Sequence, residues 1–187
     1  YIIDPKTGFV GDIIVILYLL AIPSIMLMLG AGASGNIIAS LGVSREMKLL
    51  LSYELPLATA VLVPIIKTGS IKISDIITSS TQPVVYNISG ILALIVIIIC
   101  LQAKLGLVPF DVAEAETELA GGILIEYSGI LLGLVKLSRQ ILFSIIPLFV
   151  IILFFPTGGW LSLVFKYILI IVVFILIRNT NPRLKID

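Results

Sequence analysis

Hydrophobic positions in this chain come in long runs and not in alternation. Five stretches, roughly residues 12–29, 49–66, 86–103, 126–155 and 161–177, are apolar around the whole helical circumference. Each is long enough to cross a hydrocarbon core of about 30 Å at about 1.5 Å per residue. Backbone groups in lipid must bond within their own segment, so these runs predict helices. The alternating ten-residue strands of a membrane β-barrel are not in the sequence. The expected fold class is all-α: one polytopic transmembrane helix bundle over residues 1–187, with about five spans. The acidic stretch between the third and fourth runs is expected to be a helical loop in water.

Composition supports this class. Of 187 residues, 59% are hydrophobic and 12% charged, against about 25% charged in soluble domains. Mean hydropathy is +1.23. The net charge of +1 offers no basic field for nucleic acid, so the expected surroundings are a lipid bilayer. With one cysteine, Cys100, and no histidine, the chain cannot build a Cys/His zinc site, a four-cysteine iron–sulfur site or histidine-ligated haem. No metal or cofactor site is expected in this chain, and any redox centre belongs on a partner. A start at Tyr1 and an end in NPRLKID suggest an internal piece of a longer subunit.

Charge at the ends of the runs gives an orientation. If five spans alternate, 30–48, 104–122 and the C-terminal tail share one side. That side holds Arg45, Lys48, Lys104, Arg178, Arg183 and Lys185, against Lys6, Lys67 and Lys72 on the other. The excess of Lys and Arg points to the first side as cytoplasmic. The chain is expected as a multi-pass protein of a cell membrane with its acidic loop in the cytoplasm.

The acidic residues are clustered. Asp111, Glu114, Glu116, Glu118 and Glu126 lie within sixteen positions of PFDVAEAETELAGGILIEYSG. Pro109 suits a first helical turn, and Asp111 with Glu114 has the spacing of a capping box. A helix over 111–119 would gather Asp111, Glu114 and Glu118 within an arc of about 60°. Carboxylates so placed repel, and one of them is expected to hold a proton. A merely solvated acidic loop is the alternative.

Two further acids fall on the spans: Glu54 inside the second and Glu126 at the start of the fourth. A charge at mid-membrane costs about 2.5–3.5 kcal/mol, so such groups usually face a protein interior or water, or snorkel to the interface. Lys136 and Arg139, deeper in the fourth run, are natural charge partners. Arg45 and Lys48 stand at the cytoplasmic edge. The glycine-rich stretch around residues 30–42 lacks the GK[ST] of a phosphate loop, and its small residues suit close helix approach.

LVPFDVAEAETELAGGILIEYSG resembles the acidic loop of the membrane subunit shared by respiratory complex I and the energy-converting nickel–iron hydrogenases. ASGNIIASLGVSREMKLLLSYELPL and RNTNPRLKID resemble two further segments of that family, in the same order. The resemblance implies a proton-path or coupling role for Glu54, Asp111, Glu114, Glu116, Glu118 and Glu126, with Lys136 continuing the path. Arg45 matches the family's loop arginine, and by position Lys48 and Arg139 join it as expected docking or charge partners. The subunit itself would be non-catalytic. Implied partners are a nickel–iron large subunit or its complex I counterpart, an iron–sulfur small subunit and antiporter-like pump subunits. Nickel–iron and iron–sulfur centres would sit on those partners, and a quinone would be involved in the complex I alternative. GGILIEYSG, Lys136 and Arg139 look closer to the hydrogenase branch, or to related sulfur-reducing complexes, than to complex I.

Overall fold

The computed structural model describes residues 10–79, 83–114 and 121–183, and these are helices, 3-10 turns and loops. The helices are α1 (Asp12–Ala33), α2 (Ile37–Thr68), α3 (Ile73–Ser79), α4 (Ile88–Lys104), α5 (Gly129–Phe154) and α6 (Trp160–Thr180). Helices α1, α2, α5 and α6 are long and apolar enough to cross a membrane, and α4 is a shorter apolar helix of 17 residues. The chain is a multi-pass, all-helical membrane protein.

Local chemistry sets the boundaries. Gly35, at φ +72, turns the chain between α1 and α2. The Asn36 side chain then accepts the Ile38 N–H at 2.9 Å and caps α2. Gly69, at φ +70, closes the same helix and donates its N–H to the Ile65 carbonyl at 2.8 Å. As a result α2 begins at Ile37, and the expected loop over 30–48 shrinks to Ser34–Asn36. Two of its glycines, Gly30 and Gly42, lie within helices and allow close contact. A methyl on Gly42 would stand 2.8 Å from the Ile123 backbone nitrogen, and one on Gly30 would collide with the Tyr127 hydroxyl.

The main core joins Leu57 and Val61 of α2, Ile97 and Leu101 of α4, Ile146 and Phe154 of α5 and Phe174 of α6. A smaller cluster of Ala31, Ala39, Ala113 and Ile123 packs where α1 and α2 meet the flanks of the acidic loop. In lipid the gain is van der Waals packing and not exclusion of water, which is why small residues can carry the contacts of this second cluster. Gln102 is fully buried and donates through Nε2 to the carbonyls of Val108 (3.1 Å) and Phe174 (3.3 Å), tying α4 to α6.

The acidic loop departs from expectation. Residues 111–114 form a turn, not the start of a helix, and Pro109 follows a cis peptide bond. The turn is held from outside: the Ile123 N–H donates to the Ala113 carbonyl at 3.4 Å. A helical face over 111–119 therefore does not form at its first four positions. Glu116 and Glu118 lie outside the described residues. The fourth run also starts later than its apolar limit, at Gly129, so Glu126 precedes α5.

Candidate functional site

The inner stripe of α2 runs Ala39, Gly42, Glu46, Leu49, Tyr53, Leu57, Ala60 and Pro64, at steps of three and four residues. Glu46 is therefore a polar member of a packed face. The matching stripe of α4 runs Gly90, Ala93, Ile97, Leu101 and Lys104. Beside Glu46 and Lys104 of these stripes a narrow cleft of about 30 Å³ opens, bounded also by α1, α5 and the 106–114 loop. Glu46, Lys104, Asp111, Glu114 and Arg139 supply its charges, and Phe110, Leu142 and Leu27 its apolar wall.

Ion pairs organise the cleft. Arg139 of α5 grips Glu114 through both guanidinium nitrogens; Nη1 lies 2.6 Å from Oε2, and Nη2 meets Oε1. This two-pronged geometry is the strong form of the interaction. Glu46 sits within electrostatic reach of both. Asp111 Oδ2 forms an ion pair with Arg183 Nη2, beyond the end of α6, at 2.9 Å. The other Asp111 oxygen, Oδ1, is buried and has no hydrogen-bond partner among the described residues. Lys104, with its side chain 1% exposed, lies 3.2 Å from Glu54 Oε2. Its ammonium also faces the Tyr53 ring, 5.2 Å from the centroid.

Of the residues singled out from sequence, the structure brings Asp111, Glu114 and Arg139 into the cleft and sets Glu54 behind it, bonded to Lys104. The carboxylates do not stack on one face; Asp111 and Glu114 turn to separate arginines. Glu126 is exposed and accepts from Asn36 Nδ2 at 2.6 Å. Lys136 and Lys48 are exposed and Arg45 is half-buried, and none of the three lines the cleft. Glu46, Lys104, Arg183 and Asn36 were not among the expected site residues. The first two lie on inner stripes that show only in the folded chain, because a span is apolar on its lipid face as well. Arg183 could not be found from sequence either, because its partner is 72 residues away. Among the described residues no group of three or more His, Cys, Asp or Glu is placed to hold a metal ion.

The three segments quoted for their family resemblance thus meet at one end of the bundle. Glu54 comes from the first, Asp111 and Glu114 from the second, and Arg183 from the third. Comparisons with known proteins agree. The chain is 33% identical over 187 residues to a subunit of the NADH-quinone oxidoreductase of Geobacillus sp. (strain WCH70), covering 92% of this chain and 55% of that one. The corresponding NADH-quinone oxidoreductase chain of Thermomicrobium roseum is 32% identical over 198 residues, covering 95% and 58%. Among solved structures, a chain of the membrane-bound sulfane sulfur reductase, an archaeal respiratory membrane complex, superposes with a TM-score of 0.87 at 27% identity. That match covers 94% of this chain and 62% of the other. The chain spans about half the length of the curated relatives it matches. Residues 2–187 match the family model described as NADH dehydrogenase, and the chain belongs to that family.

Proposed function

We propose that this chain is the membrane-embedded coupling and anchoring subunit of an energy-converting redox complex of the cell membrane. It turns redox events on soluble partners into ion translocation, with its charged end in the cytoplasm. The observation that carries this reading is the convergence of Glu46, Asp111 and Glu114 with Lys104 and Arg139 in one cleft, with Glu54 bonded behind it. Carboxylates paired with cations change their proton affinity when a charge arrives nearby, and an acid inside a span needs a route or a partner. The partners are a nickel–iron or equivalent large subunit, an iron–sulfur small subunit and antiporter-like pump subunits. The metal centres reside there.

The branch proposed is the energy-converting hydrogenase. A sulfur-reducing complex is the second reading, favoured by the likeness to the sulfane sulfur reductase. The test uses the full complex in liposomes. Glu54→Gln and Glu114→Gln are expected to assemble and to lower ions moved per electron pair; unchanged ratios in both would overturn the coupling role. Stoichiometric nickel in the same preparation marks the hydrogenase, and iron without nickel marks a sulfur- or quinone-reducing relative.

A further inference from the structure

Lys104 belongs to two environments at once. It lines the cleft that holds Glu46, Asp111, Glu114 and Arg139, and it bonds Glu54, which does not line that cleft. Lys104 is also the last residue of α4, a position from which a lysine normally snorkels into water. Here it continues the inner stripe instead, and its side chain is 1% exposed. Glu54, by contrast, keeps 34% of its side chain exposed.

Resting on the coupling function above, we propose that Lys104 is the proton carrier between the cleft and Glu54. In the first step an N–H bond of the ammonium breaks as an O–H bond forms on Glu54 Oε2, leaving a neutral amine beside a carboxylic acid. The amine lone pair then takes a proton from the cleft side, from water or from a protonated Glu46 or Glu114, and the ammonium is restored. Glu54 then gives its proton to a water molecule or a partner subunit's acceptor on the side that this chain leaves uncovered, and becomes a carboxylate again. One proton enters, one leaves, and no electrons move.

Two physical facts favour this role over a static ion pair. In a poorly solvated site the neutral pair escapes the desolvation of two charges, so the charged and neutral forms approach one another in energy. Lysine gives up its proton under such conditions, and arginine does not. A purely structural partner for Glu54 would serve equally well as arginine.

The experiment follows from that difference. Lys104→Arg and Lys104→Gln are made in the full complex, checked for co-purification with the partner subunits, and assayed in liposomes for protons moved per electron pair. Both are expected to lower the ratio about ten-fold, Arg because it keeps the charge but cannot release it. A wild-type ratio in either variant overturns the proposal. If Glu114→Gln uncouples while Lys104→Arg does not, the carrier role falls and the coupling function stands; wild-type ratios in Glu54→Gln, Glu114→Gln and Lys104→Arg together remove both. Infrared difference spectra need no lysine variant. During turnover the unmodified complex is expected to show a protonated-carboxyl C=O band that Glu54→Gln lacks, and its absence also overturns the proposal.

Discussion

Lys136 and Arg139 sit three residues apart on α5 and meet different fates. Lys136 is exposed, whereas Arg139 is held two-pronged on Glu114 with about a third of its side chain still open. Removing the guanidinium leaves a largely enclosed carboxylate without its main partner, at a cost of about 1–3 kcal/mol. Arg139→Gln is therefore expected to lower the thermal midpoint of the detergent-purified protein, and the double variant with Glu114→Gln to recover part of the loss. Equal and additive losses would mean that the two side chains do not act as a pair. At this scale the sequence marked both basic residues as charge partners. It could not say which one faces inward, because a span is apolar on its lipid face as well as its core face. The period that betrays the buried side of a soluble helix is then almost absent.

Helix α2 shows how far an element can be read. Its apolar C-terminal part is plain in the sequence, but its start was not, because glycine and serine around residues 30–44 look like loop. Packing overrides that composition: Gly42 is helical because the 122–124 turn lies against it. Gly32, on α1, meets nothing within 4 Å. Gly42→Val is expected to push the turn away and destabilise the cleft end, read as faster proteolysis within residues 105–128. Gly32→Ala should leave the cutting rate unchanged. Equal rates for Gly42→Val and the unmodified protein would show that the close approach is not required. The acidic loop was the harder case. Its carboxylates were visible, but its shape depends on Arg139 and Arg183 from distant elements, and local spacing suggested a helix where long-range ion pairs hold a turn.

Across the whole molecule the expected set of five apolar segments maps onto α1, α2, α4, α5 and α6. Ser34, after α1, and Tyr86, before α4, are both exposed and fall on opposite sides in this topology. In a Cys100→Ala background, Ser34→Cys is expected to react with a membrane-impermeant maleimide only from the cytoplasmic face, and Tyr86→Cys only from the other. Labelling of both from one face would refute the arrangement.

The brevity of α4 has an electrical consequence. Its 17 residues rise about 25 Å, short of a hydrocarbon layer of about 30 Å. The helix ends at Lys104, where the cleft opens, so on the proposed route the cytoplasmic aqueous phase dips to meet it. Transmembrane voltage falls across the low-dielectric layer and little across water. A proton reaching Lys104 has therefore spent little of the roughly 2.3 kcal/mol that each charge exchanges with a 100 mV potential. Most of that work remains for the exit beyond Glu54. Loading from the cytoplasm then responds weakly to voltage, and release against the field carries nearly all of the voltage dependence.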